Sequence, residues 1–306
     1  LAAMEGVYVS YARTAQYQSV VLMLVLAVIW CFFRFHTTGG ASRRLHALGT
    51  FILAIAFLFH FEIILLLPVI GYLNVAHLPW PGFAKVVPFY LTRLSRFWLS
   101  ALIFVTPLAL FYVPFLRHPN LSQTGSYLEN RIGAGSFPPF NNLDHFFYYE
   151  ALKYNSAYYA AFFIVFLALA ALLALSRALN RSLLTATTYA AVVAVAGAAL
   201  SLAGLEKLSA LLVALALAAL FSLVILSPRT PLPQRTLWLW IAPPVWVYVT
   251  LVNRPGKHHY LFWGGLAILV GMGVMATWGW AAERWVWLRQ PPGRWIVGGK
   301  IGRAHV

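Results

Sequence analysis

Long, solid runs of apolar residues separated by short basic or turn-forming segments dominate the chain. They occupy roughly 17–35, 47–74, 95–116, 157–176, 183–203, 208–227, 236–252 and 259–283. A bilayer-spanning helix needs about 20 consecutive apolar residues. The pattern therefore predicts an all-α, polytopic transmembrane helical bundle of about eight apolar segments, forming a single domain over residues 1–299. The runs are continuous rather than alternating, which argues against a transmembrane β-barrel.

The second run is awkward, because its 28 residues are long for one crossing and short for two. His60 and Glu62 interrupt it near its middle. The flanking charges can decide between one crossing and a hairpin. If 47–74 is a hairpin, thirteen Lys and Arg, from Arg34, Arg43 and Arg44 through to Arg294, fall on one side. Seven fall on the other: Arg13, Arg117, Arg131, Lys153, Lys207, Arg254 and Lys257. If the run crosses once, the division becomes 11 against 9. Only the hairpin gives the expected excess of positive charge on the cytoplasmic side. It places the polar loop 117–156 and the short segment 253–259 together on the outside.

That outer loop carries Glu129, Arg131, Asp144, His145, Glu150 and Lys153, and with them a run of aromatics (Phe146, Phe147, Tyr148, Tyr149, Tyr154, Tyr158, Tyr159) that suits a helix lying at the interface. Residues 157–227 are Ala/Leu-rich and read as a lipid-facing scaffold packed through small residues. No repeat of 20–50 residues is present.

Composition narrows the class. Of 306 residues, 61% are hydrophobic and 9% charged, and the mean hydropathy is +0.77. Soluble domains carry about 25% charged residues, so a soluble enzyme, a disordered chain and a disulfide scaffold are excluded. The net charge of +15 reflects basic loop ends. It comes without any nucleic-acid-binding motif, so nucleic acid is not an expected partner. The single cysteine, Cys31, excludes an intrachain disulfide and a cysteine-based metal site. The chain opens at Leu1 without an initiator Met, and we expect a segment of a longer reading frame. Its last residues, 300–306 (KIGRAHV), resemble a translated sequencing-adapter read-through and are set aside from the fold.

Three segments carry candidate chemistry. His60 and Glu62 lie inside FLFHFEIILLLP. Ionisable groups at bilayer depth cost about 2.5–3.5 kcal/mol each, so they face a bundle interior or a wet cavity. At i and i+2 they cannot share a helix face, which predicts a break there. They either line a substrate cavity at a hairpin apex or satisfy one another and only hold the hairpin. The second segment is NRPGKHHYLFW, Asn253–Trp263. Pro255-Gly256 forces a turn, and Arg254, Lys257, His258 and His259 crowd the start of a span. That spacing suits a phosphate or diphosphate held at a helix N-terminus; ordinary snorkelling is the plainer alternative. Against it, the cluster lies on the side poor in positive charge. The third is SYARTAQYQS, where Arg13 and Tyr17 share one helix face at an outer entry or simply anchor it. No metal-binding spacing, Walker lysine loop or GxGxxG fingerprint is found, so no metal or nucleotide cofactor is expected.

In this order the pieces resemble the multispanning glycosyltransferases of family 39. These are GT-C fold enzymes that include protein O-mannosyltransferases and bacterial lipid-carrier sugar transferases. YARTAQYQSVVLMLVLAVIWCFFR is similar to the family's arginine-then-YQS helix entry, through Arg13, Tyr17 and Gln18. LGTFILAIAFLFHFEIILLLPVIGYL resembles the next helix pair, with His60 before an apolar run ending at Pro68. KHHYLFWGGLAILVGMGV resembles a late outer-edge helix, matched by Lys257, His259 and Tyr260. Gly264-Gly265 stand where the family often has proline. The resemblance covers residues 8–284, through order and topology more than through an invariant string.

It implies a multi-pass enzyme of the cell (inner) membrane that moves a sugar from a polyprenyl-phosphate donor to an acceptor hydroxyl at the outer face. The donor is a substrate, and no cofactor is implied. Lys257, His258 and Arg254 would meet the donor phosphate. The resemblance puts the catalytic acidic residue in a first outer loop that nothing here matches. A truncated N-terminus accounts for that, and the chain alone is then expected to be inactive. A transporter or lipid-linked sugar flippase would also explain a buried His60 and Glu62 and a basic outer patch. Such proteins often carry paired broken helices in internal repeats, whereas this sequence offers one broken helix and no repeat.

Overall fold

The computed structural model describes residues 17–78, 86–95, 97–119, 121–132, 138–143, 156–253 and 260–285. Among the described residues the regular structure is entirely helical. In chain order the helices are α1 (Tyr17–Thr37), α2 (Arg43–Phe59), a 3-10 segment (Phe61–Leu66), α3 (Leu67–Val75), α4 (Val86–Ser95), α5 (Trp98–Leu116) and α6 (Leu121–Ile132). There follow α7 (Ala157–Leu179), α8 (Leu183–Leu202), α9 (Glu206–Leu226), α10 (Leu232–Thr250) and α11 (Tyr260–Arg284). Six of them, α1, α5, α7, α8, α9 and α11, are long and apolar enough to cross a membrane. The protein is a multi-pass helical membrane protein, and each of the eight apolar runs forms helix.

Helix α2 begins beside the end of α1, with the Ser42 hydroxyl accepting from the Leu45 N–H at 3.3 Å. Its 17 residues rise about 25 Å. At His60 the backbone is extended (φ −160°, ψ 127°), which ends the helix. The chain returns through the 3-10 segment and α3. Its far end arrives where α2 began: His36 Nδ1 lies 3.2 Å from the Leu73 carbonyl oxygen, and the His77 ring meets Phe35 edge-on at 5.6 Å. Gly40, at φ 72°, passes so close to His77 that a Cβ there would overlap the ring. Helix α5 starts at this same end, with Ser100 Oγ 2.8 Å from His46 Nδ1 and Phe97 stacked on His46 at 4.1 Å. It runs alongside α2, and the Tyr112 hydroxyl donates to the Phe57 carbonyl at 3.1 Å. The 47–74 run is therefore a hairpin bent at His60, as the charge division requires.

At the other end of the bundle the 138–143 segment docks against α10. The Phe140 N–H donates to the Thr250 carbonyl at 2.8 Å, and the Asn142 N–H to the Val249 carbonyl at 3.1 Å. From the first turn of α9, Lys207 Nζ reaches the Pro139 carbonyl at 3.4 Å. The 138–143 part of the 117–156 loop thus sits at the end of α10 from which the 253–259 segment departs. Cysteines introduced in both segments, in a Cys31→Ser background, should react with an impermeant maleimide from one side of sealed vesicles. Reaction of only one segment would contradict this topology.

The core lies where α1, the hairpin, α10 and α11 meet. Phe32, Ile63, Leu66, Leu73, Ile241, Phe262 and Trp263 are all fully buried there. Gly265 admits this packing, because a Cβ would press on the Ile241 side chain. The Trp240 indole N–H donates to the Leu261 carbonyl at 2.8 Å and fixes α10 against α11. Helix α8, by contrast, buries only Ala186 and Gly197, and Ser209 on α9 donates to the Gly197 carbonyl at 3.0 Å. This is the small-residue, lipid-facing scaffold expected from its composition.

Helices α7 and α11 cross at Gly273, where a Cβ would overlap the Phe166 carbonyl oxygen of α7. Backbone cannot rotate away as a side chain can. Gly273→Ala should therefore cost about 1–3 kcal/mol, read as a lowered unfolding transition in detergent. Gly279→Ala, which meets nothing within 4 Å, should leave the transition in place. Equal melting of the two variants would refute the close crossing.

Candidate functional site at the hairpin apex

His60 and Glu62 are brought together, and the break in the helix is what allows it. His60 Nδ1 lies 3.3 Å from the Glu62 backbone nitrogen, where it accepts and caps the 3-10 segment. The same atom lies 3.5 Å from Glu62 Oε2, with side-chain exposures of 11% and 9%. The two contacts make opposite demands. Capping needs a lone pair on Nδ1, whereas pairing with the carboxylate needs a proton there. The position of one proton therefore selects between a helix cap and a salt bridge.

Burial is sided at this apex. Phe59, Phe61 and Ile64 are about half exposed, while Glu62 and Ile63 are buried. The apolar side chains face outward and the ionisable pair faces the bundle, as the cost of charge in lipid demands. The 3-10 segment packs against α2, α3 and α10. Its depth differs from that of a mid-run interruption in a straight span. Because the chain turns at His60, the centre of the run lies about 25 Å from the first end. Across a hydrocarbon core of about 30 Å that is close to the opposite boundary, where an ionisable pair costs less than at the midplane.

A second feature of this end was not legible in the sequence. The last carbonyls of a helix have no partners within it. At the end of α10 the Asn142 side-chain amide supplies them, donating to the carbonyls of Tyr248 (3.0 Å), Val249 (3.3 Å) and Val252 (2.7 Å). One side chain from the outer loop thus fixes the level at which the chain leaves α10. Lys207 Nζ, 4.9 Å over the Phe140 ring, reinforces the docked loop.

Of the remaining candidates, Tyr17 and Tyr260 are the first residues of α1 and α11, two helices that pack together and begin at this end. Arg13, Arg254, Lys257, His258 and His259 lie outside the described residues. So do the aromatics of 146–154 expected to form an interfacial helix. Among the described residues no group of three or more His, Cys, Asp or Glu is placed to hold a metal ion. Comparison with protein-family models, with curated proteins and with solved structures finds no match.

Proposed function

We propose that the protein is a glycosyltransferase of the inner membrane that uses a polyprenyl-phosphate sugar at the outer face. What supports this most is the clustering at one end of the bundle. The ionisable apex of the hairpin, the docked 138–143 segment and the facing ends of α10 and α11 all lie there. The last two bracket the stretch containing Arg254, Lys257, His258 and His259.

In this reading the lipid lies between helices and its phosphate meets the basic stretch. An acceptor hydroxyl oxygen attacks the anomeric carbon as the bond from that carbon to the phosphate oxygen breaks. The electron pair leaves with the phosphate, and Arg254 and Lys257 stabilise the charge that develops there. The configuration at the anomeric carbon inverts. The hydroxyl proton passes to the carboxylate that the resemblance assigns to an earlier outer loop. His60 and Glu62 lie near the same boundary.

The test supplies the full-length gene product with radiolabelled hexosyl-phosphate-polyprenol or with the corresponding sugar nucleotide. Transfer from the lipid-linked sugar alone is expected. Transfer from the nucleotide, or movement of intact lipid-linked sugar across vesicles without bond breakage, would overturn the reading.

A further inference from the structure

A cleft of about 300 Å³ opens at the opposite, arginine-rich end of the bundle, between α7, α10 and α11. Its volume is at the small end of ligand-binding pockets. Its lining is graded along each helix. On α7 it runs from Ala170 through Leu173 and Ala174 to Arg177, the lining residue nearest that end. On α10 it runs from Trp238 to Gln234, again the nearest, and on α11 from Leu269 to Met275 and Ala276. Apolar groups thus line the depth, about 10 Å from Ala170 to Arg177, while a guanidinium and an amide stand at the mouth.

Trp238 forms part of the apolar depth. The residue is only 3% exposed, and its indole nitrogen has no hydrogen-bond partner. That nitrogen presents no surface to the cleft, so Trp238 contributes its apolar ring to the wall. Nearby Arg235 is already engaged, with the Tyr72 hydroxyl at 3.0 Å and the Ser227 carbonyl at 2.6 Å. Arg177 is the charged residue of the lining, and its side chain is exposed.

We infer that this cleft binds an anionic phospholipid of the arginine-rich leaflet, the acyl chain in the apolar depth and the phosphate at Arg177 and Gln234. The mouth offers an amide and a guanidinium, both seeking acceptor oxygens, and only the second carries a full charge. A lipid phosphate with its ester carbonyls provides both kinds of acceptor on an apolar tail. The site lies at the far end from the proposed sugar-transfer site and does not depend on that assignment.

The test is native mass spectrometry of the purified full chain exchanged into mixed micelles of phosphatidylglycerol or phosphatidylcholine. One phosphatidylglycerol should be retained, about tenfold more tightly than phosphatidylcholine. Arg177→Gln should reduce its retention about tenfold. Met275→Trp plugs the mouth from a position 66% exposed and should abolish it. Both variants should elute and melt as the parent does, which separates lost binding from lost fold. Lys257→Ala, at the other end, should leave the adduct unchanged. Equal retention of the two lipids, an adduct that survives Arg177→Gln and Met275→Trp, or one lost in Lys257→Ala would overturn the assignment. Displacement by millimolar inorganic phosphate would also overturn it, since the polar mouth would then serve a free anion.

Discussion

Replacing His60 by Leu should destabilise the purified protein by about 3 kcal/mol, the low end of the cost of breaking a buried ion pair from one side. Two losses combine. The Glu62 backbone N–H loses the imidazole acceptor that caps the 3-10 segment, worth about 1 kcal/mol. The Glu62 carboxylate, at 8% exposure, loses the imidazole 3.5 Å away. The remedy distinguishes the terms. In His60→Leu/Glu62→Leu no carboxylate is left in the apolar surroundings, so all but the capping loss should be recovered. The couplings follow from a double-mutant cycle read by equilibrium unfolding in mixed micelles. Additive single-site effects would mean that the two side chains do not interact.

Lys257→Ala should lower the efficiency with the polyprenyl-phosphate donor at least tenfold, on the order of 1.4 kcal/mol of transition-state stabilisation. Snorkelling accounts for one basic residue at a helix end, but not for Arg254, Lys257, His258 and His259 within six positions. Lys257 acts as a point charge, and Arg254 can make a bidentate contact with phosphate. The histidines contribute only as far as an anion favours their protonated form. Acceptor affinity should change little, because the acceptor hydroxyl carries no charge to lose. Unaltered donor kinetics in a folded Lys257→Ala protein would reduce the cluster to an interfacial anchor.

The membrane fold was legible because lipid imposes a length rule that each apolar run states directly. The hairpin was legible for two independent reasons. His60 and Glu62 cannot share a helix face, and only a return to the starting side sorts the arginines. Helices α4 and α6 were not legible. They are short and carry no crossing-length apolar run, and in the outer loop the polar sequence of Leu121–Ile132 reads as coil. Nor was Asn142, whose carbonyl partners lie more than 100 positions away and leave no periodic signal. The cleft at the arginine-rich end escaped for a similar reason. Gln234 and Trp238 share a face of α10, four residues apart, but Arg177 looks like an ordinary helix-end residue, and only the packing of three helices brings it beside them. Of the apex site, the sequence could show which residues were ionisable. It could not show that one nitrogen of His60 serves two competing contacts.

The most direct measurement of the central claim is binding of radiolabelled polyprenyl monophosphate to the full-length protein in phosphatidylcholine nanodiscs, with unlabelled competitors. The account predicts one saturable site displaced by polyprenyl monophosphate and not by polyprenol of the same length. It also predicts that Arg254→Ala and Lys257→Ala each weaken the site, while Arg177→Gln does not. Equal displacement by polyprenol, or binding indifferent to both outer substitutions, would contradict it.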